Sequence, residues 1–122
     1  MGRILPETLP IFPLSGALLL PGGQLPLNIF EPRYLKMVEG ALATKNRLIG
    51  MIQPRPECAQ ASLFPVGCAG RIEEFSETED GRYLITLRGQ CCFRIHQEQA
   101  MQDGYRVVTP DWAGFMDDCE QD

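Results

Sequence analysis

Apolar and polar positions alternate with a period of two over several stretches of the chain and with a helical period over one, which predicts a mainly β protein carrying a single helix. The first apolar run is Leu9-Pro10-Ile11-Phe12-Pro13-Leu14. Its prolines have no N–H to give to a ladder, so this strand is expected at a sheet edge or beside a bulge. Residues 15–23 read as a loop that carries Leu18, Leu19 and Leu20 into the turn Pro21-Gly22-Gly23, and a second strand is expected over 25–30.

Pro32 marks a helix start, because proline at the first helical position lacks only an amide hydrogen that has no partner there. Tyr34, Leu35, Val38, Ala41 and Leu42 then recur at helical spacing while Arg33, Lys36 and Glu39 are left to water, so one amphipathic helix is expected to about residue 43. Gly40 inside it costs about 1 kcal/mol relative to alanine. The helix is therefore expected to depend on docking rather than on its own propensity.

Residues 47–53 resume β character until Pro54-Arg55-Pro56 stops them. Val66, Cys68, Gly70 and Ile72 alternate with Gly67, Ala69, Arg71 and Glu73, and an acidic turn covers 76–81. Tyr83, Ile85 and Leu87 mark the returning strand; Cys91, Phe93 and Ile95 mark another after Gly89-Gln90; Tyr105, Val107 and Val108 supply the last. A β-meander of about six strands, curled into a partial barrel with the helix packed against an opening, is the simplest arrangement. A single domain over 1–122 is expected, with an ordered core about 8–113 and an acidic tail over 116–122.

Charge narrows the partners. The formal net charge is -5, Lys36 and Lys45 are the only lysines, and the arginines do not cluster, so a polyphosphate backbone would meet a mildly repulsive field. Nucleic acid is disfavoured. The longest unbroken aliphatic run is far short of the roughly 20 residues that cross a bilayer, and the first residues lack the basic start and apolar run of a secretory signal. A cytoplasmic protein with no membrane partner is expected.

Candidate chemistry is sparse. Cys58, Cys68, Cys91, Cys92 and Cys119 form an odd set without paired spacing, which favours reduced thiols; with no C-x-x-C and His96 as the only histidine, no zinc site is expected. Neither lysine follows the glycine pattern of a phosphate-cradling loop, and no serine sits in a nucleophile elbow. Cys92 and His96, four residues apart on a strand, would stand about 13 Å from each other. Glu73 and Glu74 are adjacent and point to opposite faces, so they cannot flank one bond. No catalytic residue, metal or cofactor is predicted. Leucines 18–20 are either tucked into the core or exposed as a contact patch.

The segment Ile29-Phe30-Glu31-Pro32-Arg33-Tyr34 with Met37-Val38, then Pro65-Val66-Gly67, then Gly81-Arg82-Tyr83, Gly89 and Phe93-Arg94-Ile95, in that order, resembles the N-terminal domain of Lon proteases from about Leu9 to Ile95. The resemblance implies a PUA-like β pseudo-barrel that recognises substrate proteins for degradation, with ATP hydrolysis and peptide cleavage in other domains. It implies a non-enzymatic domain, either standing alone or cut before a helical part. Its partners would be protein or unfolded polypeptide segments and a separate protease. An RNA-binding module is the alternative, since PUA-like folds also serve that role. A domain that grips varied unfolded chains needs accessible apolar loops or a sheet edge, which singles out Leu18, Leu19, Leu20, Met51 and Pro54 as contact residues. Phe30, Pro32, Tyr34 and Val38 are expected to secure the helix to the barrel, and Glu31 and Arg33 to make polar ties at its entrance.

Overall fold

Among the described residues, six strands and one helix follow in the order β1 (Leu9–Pro13), β2 (Gln24–Ile29), α1 (Pro32–Leu42), β3 (Leu48–Ile52), β4 (Val66–Glu77), β5 (Tyr83–Glu98) and β6 (Arg106–Asp111). The computed structural model describes residues 6–14, 19–52 and 66–112. The strands form one sheet in the order β2-β5-β4-β3-β1-β6, and β5 also pairs with β6. The ladders thus close into a ring of five strands, β5-β4-β3-β1-β6, with β2 attached to β5 outside it. This is the mainly β, six-stranded, one-helix architecture that the patterning predicts, although the ring is less regular than a barrel.

Three details differ from the expectation. The strand β1 is not at an edge: it pairs parallel with β3 and antiparallel with β6. Its prolines are tolerated because the two ladders are staggered. Pro10 belongs only to the β6 ladder and Pro13 only to the β3 ladder, while Ile11 alone pairs on both sides. The parallel β1–β3 pair also breaks the simple meander, with β2 and α1 forming the crossover between them. Finally, the two strands expected on either side of Gly89-Gln90 are one, the 16-residue β5. Ala69 pairs with Cys91 and Gly70 with Gly89, so Gln90 is the extra residue of a β-bulge rather than part of a turn.

The bulge lets the long strand bend from the ring into a wing. Residues 83–88 of β5 lie between β2 and the far half of β4, and residues 94–98 pair with β6. Ile72 pairs with Leu87 and Glu74 with Thr86, which makes Glu73 a second unmatched residue, on β4.

Two groups of buried side chains fill the molecule. Leu9, Ile11, Leu48, Ala69, Phe93 and Val108 form one inside the ring, where a Cβ on Gly50 would stand 2.7 Å from the Phe93 ring. The other packs under α1, whose Tyr34, Met37, Val38 and Ala41 are buried; the Tyr34 ring lies 4.4 Å from that of Phe12 between centroids. The helix opens on the Glu31 carbonyl, which accepts the amides of Tyr34 and Leu35 at 2.9 Å. It closes as the Thr44 hydroxyl and amide both donate to the Ala41 carbonyl. A Cβ on Gly40 would approach the Tyr105 hydroxyl to 3.1 Å, so the helix gives up propensity there to admit the tyrosine.

Candidate functional site

Among the described residues, the strand β2 pairs with one neighbour only, β5. The Gly89 amide donates to the Gly23 carbonyl at 2.8 Å, continuing the ladder in which Gln24 faces Arg88. Hydrogen-bonded pairs alternate along an antiparallel ladder. Leu25, Leu27 and Ile29 therefore turn their peptide groups toward β5, while Gln24, Pro26 and Asn28 turn theirs away, where no strand lies among the described residues. Pro26 stands on this open side, the place where a residue without an N–H costs the sheet nothing.

Exposed apolar residues bracket this edge. Leu20, just before β2, is 58% exposed, and Phe30, just after it, is 65% exposed. The turn holding Leu20 is clamped: the Gly23 amide donates to the Leu20 carbonyl, and the Gly22 amide to the Gly89 carbonyl, both at 2.8 Å.

Behind the edge, the outer face of the wing forms a shallow groove of about 810 Å³ that includes Pro26, Asn28, Glu74, Ser76, Leu84 and Thr86. Glu73, unmatched at the β4 bulge, turns to the same groove as Glu74 rather than to the opposite face expected of adjacent strand residues, and from the groove margin it ties the three strands together. Its carboxylate accepts from Gln24 Nε2 on β2 at 2.9 Å and from Arg88 Nε on β5 at 2.6 Å. Those hydrogen bonds, that of Arg88 foremost, hold the carboxyl below the ordinary glutamate range. On the inner face, the Tyr83 hydroxyl donates to Glu39 Oε2 of α1 at 2.6 Å, which pushes the phenol up to about 12.

Of the residues singled out in the sequence, the structure brings only part to this surface. Leu20 lies on it. Leu19 (5% exposed) and Met51 (4%) are core side chains that a partner does not reach: both belong to the group packed under α1, Met51 because alternate positions of β3 face opposite sides of the ring wall. Leu18 and Pro54 lie outside the described residues, as does the acidic tail over 116–122. Tyr34 and Val38 anchor the helix, whereas Phe30 and Pro32 are exposed and do not. Arg33 Nε and Glu31 Oε1 form an ion pair at 3.2 Å at the helix entrance, with the Arg33 guanidinium also over the Tyr34 ring. The sequence reading missed Phe30, Pro26 and Leu84 as surface residues; for Pro26 the available signal was its alternation with Gln24 and Asn28, which share one exposed face of β2.

Reactive groups are not assembled here. Cys68 and Cys92 face each other across β4 and β5 and form no disulfide, while Cys91 is disulfide-bonded rather than reduced. Burial, reinforced by Cys92, pushes the Cys68 thiol up to about 12, the opposite of what a nucleophile needs. His96 is exposed on β5. Among the described residues, no group of three or more His, Cys, Asp or Glu could hold a metal ion, and no helix is long and apolar enough to cross a membrane.

Comparison with known proteins places this surface in context. Residues 8–114 match the model of the ATP-dependent protease La (LON) substrate-binding domain. The chain is 29% identical over 105 residues to Lon protease 2 of Sorangium cellulosum and 34% identical over 97 residues to the Lon protease of Roseiflexus castenholzii, matches covering 83% and 76% of this chain. They cover only 13% and 12% of those proteins, so the chain spans a small fraction of its relatives' length. Among solved structures, a Lon N-terminal domain protein from Xanthomonas campestris superimposes with a TM-score of 0.66 at 31% identity, over 86% of this chain and 59% of that one. The N-terminal domain of a Mycobacterium avium complex Lon protease does so with a TM-score of 0.68 at 13% identity, over 88% and 55%.

Proposed function

Because the chain belongs to the family of the ATP-dependent protease La (LON) substrate-binding domain, we propose that it is a non-catalytic recognition domain that holds polypeptide segments on the wing formed by β2, β5 and β4. The observation that carries this reading is the open main-chain edge of β2 between exposed Leu20 and Phe30. An extended chain laid along that edge gains hydrogen bonds that do not depend on its sequence, while the flanking leucine and phenylalanine reward apolar side chains. Such a combination suits varied guests. Pro26 removes one donor from the edge, which weakens pairing of the edge with another sheet and keeps the interaction reversible.

A protease is the natural consumer of whatever the domain holds, since the relatives it matches are Lon proteases. RNA is the poorer reading, because Glu73 and Glu74 line the groove beside the edge. The test is fluorescence anisotropy with a labelled, permanently unfolded polypeptide, made by reducing and carboxymethylating a disulfide protein. Saturable binding that weakens in Leu20→Ser and Phe30→Ser supports the proposal. Folded protein that shows no binding at high concentration, or binding indifferent to both substitutions, overturns it.

A further inference from the structure

We propose that the groove on the outer face of the wing selects extended segments in which a lysine or arginine stands beside apolar residues, a reading that rests on the polypeptide-binding role above. The groove floor offers Leu84, 42% exposed at the centre of the wing, with Pro26 on the neighbouring β2 strand. Its far side is acidic, and no lysine or arginine lines it among the described residues.

The two carboxylates there are not equivalent. Glu73 is committed to Gln24 and Arg88. Glu74 accepts one hydrogen bond, from the Thr86 hydroxyl at 3.1 Å, and makes no ion pair with a described residue. Glu74 and Thr86 are directly opposed across β4 and β5, as are Ser76 and Leu84 one step along the same face. The spare carboxylate and the exposed leucine therefore sit on adjacent rungs, within reach of neighbouring side chains of one bound segment. The floor draws an apolar side chain out of water, and Glu74 supplies the counter-charge for a cation beside it. An acidic segment gains the first contact and is repelled by the second. The chain's net charge of -5 adds to that preference at a distance.

Three labelled peptides of equal length and identical apolar residues test this, carrying lysine, glutamine or glutamate at the alternating polar positions. Anisotropy with the full chain at low salt should rank them lysine, glutamine, glutamate, with the first two separated by roughly twofold to fivefold, the range of an exposed ion pair. Raising salt to several hundred millimolar should compress that ratio toward one. Glu74→Gln should do the same while leaving the glutamine peptide's affinity unchanged, and Leu84→Ser should weaken all three. Equal binding of the lysine and glutamine peptides, or a ratio that survives Glu74→Gln, overturns the charge selection while leaving the general role standing. If none of the three binds to folded protein, the general role falls as well.

Discussion

Gly89 stands so close to Leu20 that a Cβ built on it would lie 2.0 Å from the Leu20 carbonyl oxygen. The contact is backbone against the site of a missing side chain, and it presses the Leu20 turn onto the β5 bulge. No rotamer change relieves such an overlap, so Gly89→Ala must push the turn away from the strand. The expected loss is about 2–4 kcal/mol, read from urea unfolding. Gly81, in the hairpin after β4, has a φ of +87° and open space around its Cβ position; alanine there should cost about 1–2 kcal/mol, the backbone penalty alone. Equal losses at the two sites would show that the Leu20 clamp is not what Gly89 provides.

Binding and stability should separate at two residues near α1. Met37 is fully buried, and Met37→Ala should cost about 2–5 kcal/mol as a cavity opens under the helix. Phe30→Ser should stay within about 0.5 kcal/mol of the parent, because its ring is largely in water, yet weaken capture of unfolded polypeptide. Thermal melts and anisotropy on the same samples decide this. A large stability loss from Phe30→Ser would return that residue to the role of a helix anchor.

Stability should fall as the solution turns alkaline. The Cys68 thiol is raised from 9.0 to about 12 by burial first and by Cys92 second, so the folded state keeps a proton that the unfolded chain releases. Where the folded state binds more protons, stability decreases with rising pH. The Cys68 contribution is therefore complete below pH 9 and is lost between about pH 9 and about 12. Tyr83, also raised, acts in the same direction from pH 10 upward. Urea midpoints followed from pH 8 to pH 10 should decline in the parent and decline less in Cys68→Ala; parallel curves would show that this thiol titrates alike in both states.

The Glu73 carboxylate bridges Gln24 and Arg88, so it fastens β2 to the rest of the wing. Glu73→Gln should leave the ring intact and loosen the edge strand, seen as faster hydrogen exchange at Leu25, Leu27 and Ile29 by up to about fivefold. Because this carboxyl is held below its ordinary 4.5, its contribution is present above that pH and disappears as pH falls through the lower folded value. Unchanged exchange in the variant would mean the ladder to β5 alone holds β2.

Most of the fold is legible in the sequence because burial imposes a period. From Tyr83 to Arg88 the strand alternates, with Ile85 and Leu87 buried between more exposed neighbours, and the helix from Pro32 announces itself through its proline and its apolar stripe. What escapes is set by partners distant in the chain. Gly89-Gln90 has the composition of a turn and becomes a bulge because Ala69 and Gly70 continue the ladder across it. Pro10 and Pro13 signal an edge, yet staggered neighbours accommodate both in the interior of the sheet. The contact surface is legible only in part. Leu19 and Leu20 are chemically identical, and their opposite fates follow from the clamp at Gly89, which no local pattern encodes. Phe30 sits in the segment most characteristic of the family resemblance and invites a structural reading, but β2 ends one residue earlier and leaves the ring outside.

The length of β5 has a practical corollary. The indole N–H of Trp112 donates to the Pro6 carbonyl at 3.3 Å, so the earliest and latest described residues meet at one corner, beside Phe93. Ile85 lies eight residues back along the same strand, on the order of 25 Å away. A dye, a surface tether or a fused protein joined at that corner would hang like a handle behind a blade, leaving the open β2 edge unobstructed.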